Sequence, residues 1–155
     1  MIEYTNNLTH INEEMLTDFF VGWPNPPLKS AHLKILQGSY CVWLAIDRDN
    51  NRVIGFITAI SDGILSAYLP LLEVLPAYQR LGIGKKLVDL MLESLKHLYM
   101  VDLLCDKDLQ VYYARFGMHD ATGSCLRNYT RQDCETSELD EKNSASQNCP
   151  VHNCG

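Results

Sequence analysis

The chain has 155 residues, 46% of them hydrophobic and 21% charged, which is typical of one soluble globular domain with a substantial core. The net charge is −6, and residues 133–155 alone carry five acids and one lysine. An acidic body argues against nucleic acid as the main partner. The sequence shows neither a secretory signal nor an apolar run approaching the ~20 residues of a membrane span. We therefore expect a cytoplasmic protein without a membrane partner, whose six cysteines need not form disulfides.

The N-terminal part contains patterns of one strand and one helix, followed by a stiff loop. Residues 1–5 are a candidate strand, and Thr9 or Asn12 can cap a helix that runs to about Val21, with apolar residues at helical spacing. Three prolines within four residues then exclude both helix and sheet pairing. Trp23 precedes these prolines, and in such a loop it either lines a ligand pocket or closes an edge of the core.

Three consecutive antiparallel strands are predicted next. The elements share short polar turns or glycines as boundaries: a helix over residues 30–37 and strands over residues 40–47, 53–61 and 67–74. Asp62 and Gly63 give the second hairpin signal. Pro70 interrupts the last strand, so it must lie at a bulge or at an unpaired position.

A strand, a glycine-containing loop and a strongly amphipathic helix follow one another between residues 67 and 98. The loop carries Gln79, Gly82 and Gly84. This order directs several unpaired backbone N–H groups and the positive end of the helix dipole to one spot, which favours a phosphate. The spacing fits neither a P-loop nor the dinucleotide-binding fingerprint, because Lys86 and Leu87 stand where those motifs need a hydroxyl residue and a glycine.

The C-terminal part begins with an apolar strand over residues 99–105, which a helical crossover places parallel to the strand before it. A helix is predicted over residues 108–116, and residues 124–130 offer one further short strand. The composition of residues 133–155 predicts a disordered tail. Its cysteines and His152 are zinc-ligand types, but their spacing matches no standard finger, and we expect no metal site.

Two motifs together resemble the GNAT superfamily of acyl-CoA N-acyltransferases. The first is Gln79-x-x-Gly82-x-Gly84, which is similar to the family's pyrophosphate loop. The second is residues 111–118, Val-Tyr-Tyr-Ala-Arg-Phe-Gly-Met, which resemble the family's Phe/Tyr-Tyr-x-x-Phe-Gly-Phe segment. Departures are Asp106, where many members have asparagine, and Met118, where phenylalanine is usual.

The resemblance implies an α/β (α+β) fold with a mixed, mainly antiparallel central sheet flanked by helices. The sheet should splay between its central strand and the next. It also implies an acetyltransferase domain over residues 1–132, with residues 133–155 as the tail. A homodimer is compatible with the family.

The same resemblance implies acetyl-CoA as co-substrate and an N-acetyltransferase that works by direct attack of a primary amine, on a small molecule or a peptide, in a ternary complex. The residues that it places around the cofactor are Leu72, Val74, Gln79, Arg80, Leu81, Gly82, Ile83, Gly84, Lys85 and Asp106. Leu72 and Val74 would pair through their backbones with the pantetheine arm. Lys85 and Lys86 either add positive charge beside the pyrophosphate or form a solvated face.

Acyl transfer to an amine needs a base for the amine and a proton for the departing thiolate. Tyr113 is the expected general acid, since a phenol is protonated at neutral pH. Glu73 is the candidate base, or else a solvated or capping carboxylate. Trp23 and Asn25 are expected in the amine pocket. The alternatives are a catalytically silent acyl-CoA-binding or regulatory module on the same fold and, less favoured, a nucleotide-binding protein.

Overall fold

The computed structural model describes residues 1–134. Within them five strands form one sheet: β1 Ile2–Thr5, β2 Cys41–Asp47, β3 Arg52–Ser61, β4 Ser66–Val74 and β5 Met100–Asp102. The α-helices are α1 Lys29–Gly38, α2 Ile83–Leu95 and α3 Gln110–Ala114. Single 3₁₀ turns lie at Glu13–Met15, Pro76–Tyr78, Lys107–Leu109 and Tyr129–Arg131.

The strands lie in the sheet in chain order, β1-β2-β3-β4-β5. The first three pairings are antiparallel. Short turns connect β2 to β3 and β3 to β4, whereas a long segment that contains α1 connects β1 to β2. The β4–β5 pairing is parallel, because α2 carries the chain back between them. This mixed, mainly antiparallel sheet flanked by helices confirms the predicted fold class.

β4 pairs with β5 only at its beginning, from Ser66 opposite Met100 to Tyr68 opposite Asp102. The β3–β4 register shifts just beyond this point, between Thr58 and Ile60. Pro70 falls in the shifted stretch, so the prediction that it occupies a bulge or an unpaired position is confirmed. In the described part of the chain, the rest of β4 has no β5 partner, and the two strands leave a gap between them.

The face of the sheet under α2 is packed by a periodic apolar stripe. Ile83, Leu87, Met91 and Leu95 of the helix are all buried. Burial of each such side chain is worth about 1.5–3 kcal/mol. Trp43 of β2 points to the same side, where its Nε1 donates a hydrogen bond of 3.0 Å to Ser94 Oγ of α2.

The opposite face carries a cluster of aromatic rings that come from β3, α1 and the segment before α1. The Phe56 ring of β3 lies 5.1 Å from Phe19 and 4.5 Å from His32, measured between centroids. Phe20 completes the cluster at 4.9 Å from His32. His32 is buried, and neither ring nitrogen has a hydrogen-bond partner in residues 1–134.

The helix predicted up to Val21 is wrong beyond its start. Asn12 does cap a turn, as its side chain accepts a hydrogen bond from the Met15 N–H, but the turn ends at once. Asp18 and Phe20 have φ angles of 64° and 61°. Such left-handed residues cannot continue a right-handed helix.

The C-terminal strand predictions also need correction. β5 has three residues rather than seven. Residues 124–130 form no strand; they are exposed, and the chain makes only the Tyr129–Arg131 turn. The third helix has a 3₁₀ turn before five α-helical residues. Most of the predicted tail lies outside the described residues.

None of the helices in residues 1–134 is long and apolar enough to cross a membrane.

Candidate active site

The loop between β4 and α2 ends in an open helix N-terminus. Gly82 is the N-cap with φ of 80°, and Arg80 before it has φ of 63°. No side chain caps α2, and its first turn contains no acid. The N–H groups of that turn have no acceptor within the helix, as at every helix start. Gln79 Nε2 donates to the Val74 carbonyl at 3.0 Å and so ties the loop to the end of β4.

The apolar side chains of Leu81 and Ile83 differ in their exposure. Leu81 is 64% exposed, whereas the Ile83 side chain is buried in the core. Lys85 Nζ bonds to Asp89 at 2.7 Å and lies 5.8 Å from the centre of the Phe116 ring. Lys85 therefore neutralises a neighbouring acid, and its ammonium is not an isolated charge.

Gly84 is the point where α2 and α3 meet. A Cβ on Gly84 would lie 3.3 Å from the Tyr112 hydroxyl and 3.7 Å from Val74 Cγ2. A side chain at this position would therefore require the Tyr112 hydroxyl to shift by a few tenths of an ångström, and glycine permits the close approach without a shift. The contact also brings a phenol to the start of α2. The sequence indicated Tyr112 only as an alternative to Tyr113 and did not predict its contact with Gly84.

The gap between β4 and β5 forms a cavity of about 450 Å³. It brings together Leu72, Asp106 and Tyr113, all predicted from the sequence. Three side chains that the sequence did not single out for the site also line it: Cys105, Cys125 and Arg127. Its wall is otherwise mainly apolar, with Ile57, Leu69, Pro70, Leu103, Leu104 and Leu109, and includes Gly123.

Tyr113 lies in this cavity as a protonated phenol. Burial raises its pKa to about 12, and Tyr112 and Cys105 add to the effect. The rings of the two tyrosines meet edge to face with centroids 5.1 Å apart. These two adjacent residues of α3 therefore lie at different parts of the site: Tyr112 lies at the glycine loop, and Tyr113 lies in the cavity.

The profile of the Acetyltransferase (GNAT) family matches residues 8–118. The chain belongs to the GNAT family. A candidate acetyltransferase from Deinococcus radiodurans R1 is 42% identical, with a TM-score of 0.82 over 85% of this chain and 92% of that one. The structure of AAC(6′)-Iy with the bisubstrate analogue CoA-S-monomethyl-acetylneamine shares the fold, with 17% identity and a TM-score of 0.57 over 83% of this chain and 97% of that one.

Among curated relatives, the uncharacterized N-acetyltransferase ycf52 of Pyropia yezoensis is 27% identical over 114 residues. The match covers 72% of this chain and 65% of that protein, so the chain spans less than two thirds of this relative.

In this GNAT fold Glu73 points to the face opposite the cavity-lining Leu72. Its cross-strand partner is Phe56 of the aromatic cluster. The carboxylate accepts hydrogen bonds from the backbone N–H groups of Phe20 at 2.8 Å and Val21 at 3.1 Å. Glu73 thus holds the left-handed bend at Phe20, and Tyr113 and Glu73 are not brought together in one cavity.

The proline-rich loop lies next to the same bend. The Trp23 ring packs edge to face on Phe20 at 5.2 Å and remains 41% exposed. The backbone N–H of Asn25 donates to Gln132 Oε1 at 3.1 Å. Sequence reasoning missed Gln132, because nothing local marks a glutamine as the partner of a backbone group 107 residues away.

Among residues 1–134 no group of three side chains is arranged to hold a metal ion. Of the zinc-ligand types in the predicted tail, Cys134 is described and exposed, whereas Cys149, His152 and Cys154 lie outside the described residues.

Proposed function

We propose that the protein is an N-acetyltransferase that transfers the acetyl group of acetyl-CoA to a primary amine by direct attack in a ternary complex. The observation that carries this proposal is the position of the two tyrosines. Tyr112 meets the uncapped N-terminus of α2 at Gly84, and Tyr113 lines the gap between β4 and β5. A single elongated ligand with a phosphate part and a reactive part can therefore reach both.

The backbone would hold the cofactor. The pyrophosphate would lie on the N–H groups of residues 81–85, where the helix dipole also favours negative charge. Leu72 and Val74 lie in the part of β4 that lacks a β5 partner within residues 1–134. On that edge the backbone groups of Leu72 and the N–H of Val74 can pair with the amides of the pantetheine arm, since such groups need partners when covered. The Val74 carbonyl already accepts a hydrogen bond from Gln79 Nε2.

The chemistry requires a nitrogen–carbon bond to form and the carbon–sulfur bond of the thioester to break. A phenol with a pKa of about 12 is a weaker acid than a thiol of ~8.5, so complete proton transfer from Tyr113 to a free thiolate is uphill by ~5 kcal/mol. Tyr113 would therefore act mainly by donating a hydrogen bond to sulfur while negative charge develops there. Asp106 lines the same cavity and would contact the cofactor.

The amine would approach from the side of Trp23, Asn25 and Glu73. Two amides occupy part of the Glu73 carboxylate, but an ionised carboxylate offers about four lone-pair positions. It could still accept the amine proton, directly or through a water molecule. The acceptor itself is a small-molecule or peptide amine. We further propose that the protein is cytoplasmic and that it forms a homodimer.

Thermal unfolding with different ligands tests the cofactor. A ligand at 100 times its dissociation constant adds about 2.7 kcal/mol to the free energy of unfolding. We expect CoA to stabilise the protein and ATP and NAD to have no effect; the opposite pattern would contradict the proposal. Turnover of acetyl-CoA with a panel of amines then tests catalysis. Binding of CoA without turnover of any amine would favour the acyl-CoA-binding module.

A further inference from the structure

Two cysteines from separate segments line the cavity that holds Tyr113. Cys105 follows β5, and Cys125 lies beyond α3 in the exposed stretch after Gly117. Cys105 is half-buried, whereas Cys125 is exposed. Cys41 and Cys134, the remaining cysteines in residues 1–134, do not line this cavity.

The cofactor sulfur would lie close to these thiols if the proposed function is correct. Tyr113 then faces the sulfur, and the Cys105 thiol is near enough to Tyr113 to influence its phenol electrostatically. Cys125 shares the same cavity of about 450 Å³. Holding two reacting groups in one small space raises their effective concentration by orders of magnitude.

The two thiols differ in how readily they react. Only the thiolate attacks a disulfide. Burial raises the pKa of the Cys105 thiol, and Asp106, Asp120 and Asp108 raise it further. Cys105 is therefore a thiol at neutral pH. Cys125 is open to solvent at the wall of the cavity, so a disulfide can reach it.

We propose that Cys125 is a modification site for oxidised coenzyme A, the symmetric CoA disulfide; this inference rests on the proposed function. The Cys125 thiolate attacks one sulfur of the disulfide. A cysteine–CoA disulfide bond forms, the CoA–CoA bond breaks, and the second CoA leaves as a thiolate that takes a proton from water. Cys125 is oxidised and one CoA is reduced. The attached CoA occupies the cleft and excludes acetyl-CoA until a thiol removes it.

The test uses the reduced full-length chain incubated with CoA disulfide, followed by intact mass measurement and peptide mapping of all six cysteines. We expect one CoA per chain on Cys125, with acetyltransferase activity lost in step with labelling and restored by dithiothreitol. Saturating acetyl-CoA should slow the labelling. Glutathione disulfide, which lacks the nucleotide, should react much more slowly.

Cys134 is the matched control, since it is also exposed but lies away from the cavity. Cys134→Ser should label as wild type does, and Cys125→Ser should not label. Equal labelling of both cysteines in the wild-type chain would mean that exposure alone decides, and would overturn the proposal. So would an adduct on Cys105 in place of Cys125, or no adduct.

Measurements of CoA binding and acetyl transfer on the same reduced protein distinguish a failure of this inference from a failure of the proposed function. If CoA fails to stabilise the reduced protein, the proposed function fails. If CoA stabilises it and acetyl transfer occurs, yet Cys125 stays unlabelled, only the cysteine inference fails.

Discussion

On one face of the sheet α2 buries a periodic apolar stripe. On the opposite face Phe56 of β3, His32 of α1 and the irregular segment with Phe19 and Phe20 form an aromatic cluster. The α2 face carries the glycine loop and leads to the cavity with Tyr113. The aromatic face carries Glu73, which holds a bend by two backbone hydrogen bonds. The first face depends on regular elements, and the second on individual contacts between distant residues. Mutations should therefore affect them differently.

The largest effect is expected on the α2 face from Gly84→Asp. Its carboxylate would repel the pyrophosphate, and its Cβ would press on the Tyr112 hydroxyl, 3.3 Å away. We expect CoA binding, measured by calorimetry, to be abolished in a chain that still folds. Gly82→Asp should do the same by charge. Gly117→Asp is the control for backbone strain, because Gly117 and Gly82 share φ of 80° and open surroundings. A folded Gly84→Asp protein with unchanged CoA affinity would move the phosphate site elsewhere.

Tyr113→Phe should give the next largest effect. It removes the hydroxyl that donates to sulfur and keeps the ring, so CoA affinity should survive while kcat falls ~10²–10³-fold. Tyr112→Phe is the matched control: its hydroxyl lies at Gly84, so its loss should raise KM for acetyl-CoA and spare kcat. A Tyr113→Phe enzyme with more than about half of the wild-type kcat would fall outside this range and would show that Tyr113 takes no part in the mechanism.

The sequence predicted the α2 face well, because the patterns that define this face lie within short stretches of the chain. Helical spacing located α2 and glycine spacing located its N-terminus; the bulge at Pro70 followed from the missing N–H. The aromatic face was predicted poorly. The left-handed bend at Phe20 depends on Glu73, 53 residues away, and Phe20 is not a residue type that favours such a φ. The third helix was located approximately. Cys125 entered the cavity through a segment that does not form its predicted strand.

His32 should make the aromatic face sensitive to acid. Burial lowers its pKa from 6.5 to about 4, because the charged imidazolium is disfavoured among the phenylalanines. Below pH 6.5 the unfolded chain binds a proton at His32 that the folded chain does not. The contribution of His32 to the free energy of unfolding therefore falls from pH 6.5 to about 4 and does not change at lower pH. This difference amounts to at most ~3 kcal/mol. His32→Leu cannot titrate, and denaturant unfolding should show a shallower loss of stability over this range than in wild type. Parallel curves would exclude His32 as the cause.

The smallest effect on stability is expected from Glu73→Gln. This variant separates two roles of Glu73, the hydrogen bonds that hold the bend and the proposed acceptance of the amine proton. An amide has one acceptor oxygen, so the variant can keep only one of the hydrogen bonds from Phe20 and Val21. The site is partly solvated, and we expect a loss of about 1 kcal/mol in the free energy of unfolding.

If Glu73 only holds the bend, kcat and its pH profile should stay near wild type once the protein is folded. If it also accepts the amine proton, kcat should fall ~10²-fold or more and the low-pH limb of the profile should disappear. Asp47→Asn is a suitable comparison. Asp47 likewise accepts several hydrogen bonds, from Asn50, Tyr78 and the Asp49 N–H, but it lies at the end of β2. We would conclude that Glu73 both accepts the amine proton and holds the bend if two results were found together. Both variants would lose stability, and only Glu73→Gln would lose the low-pH limb of its kcat profile.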